Sequence, residues 1–221
     1  MKKISAFDII GPVMAGPSSS HTAGALRIAL IASEILKEQV HSARFTLHGS
    51  FSETYRGHGT DRALAAGIMG WSTDDPAIPR ALEVAAEKEI PLTFNTAPLE
   101  PEMHPNTVSM TIAGRTGRHL ELEGASVGGG DVVITKINGI QVSFTGEYPT
   151  LIVQQRDRPG IAAHITGLLA RGRINIGTMR VYRQERGTRA YTVVETDDPV
   201  PESIMVGIRE HPFITDVFLV T

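Results

Sequence analysis

The sequence predicts an α+β protein in two parts, a mixed α/β domain over residues 1–147 and a compact βαββαβ domain over residues 148–221. Three observations carry that expectation. At 221 residues the chain is longer than one average domain and long enough for two modest cores. Near Tyr148-Pro149 a glycine-rich stretch with hairpin signals gives way to a regular alternation of strand and helix patterns. Within the first part, runs rich in Ala, Leu and Ile precede strand-like sequence that begins at Thr107.

From the N-terminus onward, Ser18 to Thr22 reads as a helix start, because hydroxyl side chains cap exposed N–H groups, and Ala23 to Lys37 supplies a largely buried helix. Arg44 to His48 alternates as a short strand, and Ser50 to Gly59 is polar enough for a loop. Thr60-Asp61 suits the cap of a second helix through Met69, and a third helix over Ile78 to Lys88 precedes Pro91 to Phe94. From Thr107, strands are separated by turns at Gly114 to Gly117 and at Asn138-Gly139. The Asn-Gly pair lies between Val132-Val133-Ile134 and Ile140-Gln141-Val142 and is the strongest hairpin signal in the chain. Ser126-Val127-Gly128-Gly129-Gly130 lies between these hairpins; its glycines permit positive φ and close approach of a ligand or another chain, and they equally suit a flexible turn.

The second part reads as strand (Leu151 to Gln155), helix (Pro159 to Ala170), strand (Asn175 to Tyr182), strand (Arg189 to Glu195), helix (Pro201 to Arg209) and strand (Ile214 to Val220). Pro159 suits the first turn of its helix, Gly172 the end of it, and Glu185-Arg186-Gly187 the turn between adjacent strands.

Composition narrows the function classes. No apolar run reaches the length of a membrane span, and Met1-Lys2-Lys3 is followed by Asp8 and Gly11-Pro12 without the apolar core of a signal peptide, so a cytoplasmic location is the expectation. A net charge of -3 offers no field for nucleic acid, and the arginines at 171, 173, 180, 183, 186 and 189 form a local patch only. The chain has no Cys, which excludes disulfides, a thiol nucleophile and any cluster held by its own thiolates.

Candidate chemistry concentrates at the first helix. A helix N-terminus presents unpaired N–H groups and the positive end of the dipole, which suits a carboxylate or phosphate. Ser18, Ser19, Ser20 and Thr22 offer more hydroxyls than one cap requires, and His21 adds a group that exchanges a proton near neutral pH. The competing interpretation is a capped helix with spare surface serines. Glycines on both sides of His58 leave its imidazole accessible, whereas His104-Pro105 before a strand is equally a turn. No G-x-S-x-G elbow, no H-E-x-x-H zinc pair and no P-loop occurs. The residues alone describe an anion-binding domain with available histidines and an open substrate.

The block Phe7-Asp8-Ile9-Ile10-Gly11-Pro12-Val13-Met14-Ala15-Gly16-Pro17-Ser18-Ser19-Ser20-His21-Thr22-Ala23-Gly24 closely resembles the start of iron-sulfur L-serine dehydratase beta chains. The resemblance continues through Gly49-Ser50-Phe51-Ser52-Glu53-Thr54-Tyr55-Arg56-Gly57-His58-Gly59-Thr60-Asp61, His104-Pro105-Asn106-Thr107 and Ser126-Val127-Gly128-Gly129-Gly130. The second domain, with Asp157-Arg158-Pro159-Gly160 opening its first helix, is similar to ACT domains, regulatory modules that commonly pair through their sheets.

The resemblance implies β-elimination on L-serine to aminoacrylate and then pyruvate and ammonia, driven by a [4Fe-4S] cluster. With no Cys here, the cluster belongs to a separate alpha chain, where an open iron site acts as a Lewis acid on the serine hydroxyl. It further implies that Ser18, Ser19, Ser20 and Thr22 hold the substrate carboxylate and that His21 and His58 handle protons or orient the substrate. Thr60, Asp61, His104, Asn106, Ser126, Gly128 and Gly129 join the substrate-binding candidates, and no metal ligand is expected in this chain. Where single-chain members often carry a second histidine this chain has Gly59, a departure that weakens the carry-over of any catalytic role to the loop that holds His58. The expected partners are the alpha chain, L-serine and a second copy through the ACT domains, with neither nucleic acid nor membrane. A regulatory amino-acid sensor is the alternative, since the first domain also resembles the allosteric substrate-binding domain of some phosphoglycerate dehydrogenases. A sensor has no need of histidines beside its carboxylate receptor, which favours the enzyme.

Overall fold

In the computed structural model, Met14 and residues 16–221 are described; the Met1-Lys2-Lys3 start, the Phe7 to Val13 part of the leading motif and Ala15 lie outside the described residues. The helix that starts at Ser18 opens with a wide π-helical turn, Ser19–Gly24, and continues as α1, Ala25–Leu36. Ser18 caps it, its Oγ accepting the His21 N–H at 3.2 Å. Lys37, in the left-handed conformation with φ 59°, ends it.

Strand β1 spans Val40–His48, longer than the strand expected over Arg44 to His48. The segment after it departs from the expected loop, because Gly49–Thr54 forms a short helix, α2. Ser52 and Thr54 fold back on the turn instead of competing with it: Ser52 Oγ donates to Gly49 O at 2.6 Å and Thr54 Oγ1 to Ser50 O at 2.7 Å. The fully buried Phe51 pins this helix to the core. Helix α3, Thr60–Ile68, also begins differently from expectation, since left-handed Gly59 occupies the cap and Thr60 is drawn inside with its Oγ1 buried and unpartnered. A 3-10 turn at Ile78–Arg80 leads into α4, Ala81–Glu87, then β2, Leu92–Ala97.

Strands β3 (Thr107–Gly114), β4 (His119–Gly128), β5 (Asp131–Ile137) and β6 (Ile140–Phe144) follow, and the sheet order is β2-β1-β3-β4-β5-β6. Only β1 and β2 run parallel, because the helical connection between them permits a crossover; the register pairs Phe45 with Phe94 and, on the other side, with Met110. The Asn138-Gly139 turn has both φ values positive, 46° and 80°, as an Asn-Gly hairpin requires. The chain forms two compact units, 1–138 and 139–221, divided at this turn, whereas the sequence reading draws its boundary after residue 147.

Glycines set the approach of the helices in the first unit. A Cβ on Gly67 would lie 2.3 Å from Leu26 O, so α1 and α3 touch backbone to backbone there. A Cβ on Gly124 would lie 2.9 Å from an Ile28 methyl, so α1 lies tight on β4. Phe45, Leu47, Ile112 and Ile134 are fully buried in this core, each large aliphatic or aromatic side chain contributing roughly 1.5–3 kcal/mol of burial energy.

The second unit has β7 (Thr150–Arg156), α5 (Ile161–Arg171), β8 (Ile176–Arg183), β9 (Arg189–Thr196), α6 (Glu202–Arg209) and β10 (Ile214–Val220), the βαββαβ order expected. The sheet order is β10-β7-β9-β8, with every pair antiparallel. Leu151, Val153, Val194 and Val217 pack against Ile161, Ile165, Leu169 and Ile208 of the helices. Pro159 precedes the helix instead of entering its first turn, because Gly160 at φ 93° makes the bend. Among the described residues, no helix is long and apolar enough to cross a membrane.

Candidate functional site

The π-helical turn brings the serine run and His21 to face α2 and the His58 loop, all within the first unit. His21 Nδ1 lies 3.3 Å from Ser18 Oγ and 3.1 Å from Ser20 Oγ, and its Nε2 lies 2.9 Å from Ser50 Oγ. Hydroxyl groups donate or accept by rotating, so both ring nitrogens have partners that follow a change of protonation. The His58 ring lies 4.9 Å from the His21 ring at 45°, and Phe51 meets His21 edge-on at 5.4 Å. Burial, and after it the charge of His58, hold the His21 pKa below its ordinary value of 6.5, so His21 is neutral at physiological pH. His58 Nδ1 is buried without a hydrogen-bond partner.

The remaining site candidates divide by what their polar groups do. Thr22 is buried and its Oγ1 donates to His58 O at 3.2 Å, tying the serine run to the His58 loop. Ser19 is half-buried and opens the turn. Thr60 follows as the buried first residue of α3, and the Asp61 carboxylate accepts the Arg62 N–H at 2.8 Å. His104 is exposed and forms a turn, its Nδ1 accepting the Asn106 N–H at 3.1 Å and its carbonyl accepting Thr107 Oγ1 at 2.7 Å. Ser126 is fully buried, and its N–H donates to Asn106 O at 3.0 Å.

These outer motifs form a supporting ring. Gly24 passes Ser126 so closely that a Cβ would lie 2.1 Å from its Oγ, and Gly49, at φ 52°, would meet Pro105 O at 2.6 Å. The ring therefore runs from the first helix through Ser126, Asn106 and Pro105 to Gly49, and the next residue, Ser50, returns to His21. Gly128, Gly129 and Gly130 all have positive φ, 113°, 63° and 90°, and among the described residues nothing crowds the first two.

Ser50 is the contact that residue-type reasoning left out, although it stands within the quoted motif. It lies 29 positions from His21, and a polar stretch read as a loop carries no sign of which hydroxyl turns inward. His48, by contrast, is buried with its nitrogens committed to Pro98 O at 3.1 Å and Ser109 Oγ at 3.3 Å, which places it in the sheet's own polar network. Among the described residues, no three His, Asp or Glu side chains converge to hold a metal ion.

The profile described as "Serine dehydratase beta chain" matches residues 5–136, and that of the ACT domain matches residues 150–205. The chain is similar to the "Probable L-serine dehydratase, beta chain" of Bacillus subtilis (strain 168), with 40% identity over 217 residues and 98% of each chain covered. It is similar to the "L-serine dehydratase, beta chain" of Peptoniphilus asaccharolyticus, with 38% identity over 208 residues and 94% of each covered. It is also similar to the "L-serine dehydratase" of Mycobacterium bovis (strain ATCC BAA-935 / AF2122/97), with 35% identity over 168 residues, covering 66% of this chain and 35% of that one. The chain thus belongs to the serine dehydratase beta chain family and carries an ACT domain after its family-defining unit.

Proposed function

We propose that this chain is one of two subunits that together deaminate L-serine to pyruvate and ammonia, with the His21–His58 pair carrying the proton transfers. The observation behind this reading is the pair itself, two imidazoles 4.9 Å apart with His21 held neutral among rotatable hydroxyls. β-Elimination needs a base for the Cα proton and an acid for the departing hydroxyl. Neutral His21 accepts the Cα proton while His58 donates one to the β-hydroxyl, which leaves as water. The electron pair of the broken Cα–H bond forms the Cα=Cβ bond as Cβ–O breaks. The resulting aminoacrylate takes a proton at Cβ and gives one up from its nitrogen to become the imine, and water hydrolyses it to pyruvate and ammonia. Ser18, Ser20 and Ser50 orient His21 through these steps, and Ser19 faces the ligand.

A second subunit is supported by the naming of its relatives as beta chains, which implies an alpha chain beside them. The donor set here does not fit an iron-sulfur cluster, because the chain has no Cys and no converging alternative among the described residues. A [4Fe-4S] cluster accordingly belongs to a cysteine-bearing alpha chain, and no step above passes through it. The ACT unit offers β8 as an open sheet edge with Val181 exposed, suited to pairing two copies.

Anaerobic co-expression with a cysteine-bearing alpha chain and a pyruvate assay tests this reading. His21→Ala and His58→Ala are each expected to lower turnover at least about 100-fold, the scale of a lost acid or base. Full activity in both variants refutes the site, and pyruvate formation by this chain alone refutes the two-subunit reading.

A further inference from the structure

We infer that Arg62 receives the carboxylate of the substrate, an inference that rests on the reading of His21 and His58 as the catalytic pair. Beside Thr22 and the His58 loop lies a cavity of about 340 Å³, lined by Gly16, Thr22, His58, Gly59, Arg62 and the apolar Ile78. Arg62 is the only Lys or Arg lining it among the described residues. It stands in the first turn of α3, just past left-handed Gly59, and its backbone N–H donates to Asp61 Oδ1. No hydrogen bond or ion pair among the described residues engages its guanidinium. That planar group presents paired donors matched to a carboxylate, and it stays charged throughout the pH range of the reaction.

The hydroxyls that the sequence offers for the same task are largely committed elsewhere. Ser18 accepts from the His21 backbone and approaches its ring, Ser20 and Ser50 contact its two nitrogens, and Thr22 donates to His58 O. Transferring these groups to a substrate would release the imidazole they hold. Arg62 binds the carboxylate without that loss, and it does so in the cavity that His58 also lines, which brings the amino acid to His58.

The test uses the active complex of this chain with its alpha chain, comparing wild type with Arg62→Ala, Arg62→Gln and Arg62→Lys. Two analogues that lack the leaving hydroxyl serve as inhibitors, L-alanine with a carboxylate and L-alaninamide without one. Arg62→Ala is expected to raise KM for L-serine about 10- to 100-fold, the range of a charged hydrogen bond, with a much smaller change in kcat. The wild-type preference for L-alanine over L-alaninamide is expected to fall by a similar factor, and Arg62→Lys to recover part of it. A structural role for Arg62 would weaken both inhibitors alike. An active wild-type complex whose Arg62→Ala variant keeps its KM and its inhibitor preference overturns the inference and leaves the proposed function standing, whereas an inactive wild-type complex refutes the proposed function. Should Arg62→Ala fail to assemble, a preference retained in Arg62→Gln overturns the inference equally.

Discussion

Two histidine pairs in this molecule have the same ring separation, 4.9 Å: His21–His58 in the first unit and His164–His211 in the second. Their partners differ in kind. His164 Nε2–H donates to Gly207 O at 3.2 Å and Ile208 O at 3.3 Å, and His211 Nδ1 accepts the Phe213 N–H at 3.3 Å. Backbone carbonyls only accept, so His164 is bound to keep that proton, and the pair closes the end of α6 where helix carbonyls lack internal donors. His21 instead faces three hydroxyls that reverse direction at little cost, and His58 keeps one nitrogen unpartnered. Ring spacing therefore does not separate the proposed catalytic pair from the pair at the helix end; the ability of the partners to exchange a proton does.

The largest contrast lies in turnover. His58→Ala should cost the complex at least about 100-fold in pyruvate formation, while His164→Ala should stay within about twofold of wild type. Equal losses would make the two pairs functionally alike. Next is the support beneath the first pair: Gly24→Ala places a methyl 2.1 Å from Ser126 Oγ and should lower stability by about 1–3 kcal/mol in urea unfolding, with Ser126→Gly restoring part of it. No loss on Gly24→Ala would mean that the ring of motifs around His21 yields easily.

Smaller is the capping effect, since His164→Ala removes the donor shared by two helix-end carbonyls and should cost about 1 kcal/mol by the same measurement. The smallest effect is a pH dependence. Because the folded-state pKa of His21 lies below 6.5, its contribution to stability is complete above that value and is lost as pH falls below 6.5 toward the folded value. Urea midpoints of wild type and His21→Gln should therefore diverge below pH 6.5, and a constant difference from pH 7.5 to 5 would show that His21 titrates ordinarily.

Much of this was legible in local sequence. The βαββαβ order of the second unit follows from short periodic segments bounded by turn residues, such as the one at Gly187, whose φ is 79°. The Asn138-Gly139 hairpin and the Ser18 cap are likewise local chemistry, complete within a few residues. The two histidines whose rings the fold brings together were singled out in the sequence as well, His21 by its place in the hydroxyl run and His58 by its flanking glycines.

Three features were not. The helical turn at Gly49–Thr54 is written in residues that favour loops, and it forms because Phe51 is buried and the hydroxyls bond back onto the turn. Thr60 carries an excellent capping side chain, yet Gly59 takes the left-handed position and the hydroxyl ends in the core. Ser50 and Arg62 join the site from distant segments, one by contact with His21 and the other by lining the cavity beside His58. Sequence sets capping, turns and periodicity because each depends on neighbours along the chain. The partners of an imidazole or a guanidinium come from segments that meet only when β1, α1 and α3 pack, and on those partners the chemistry of the site depends.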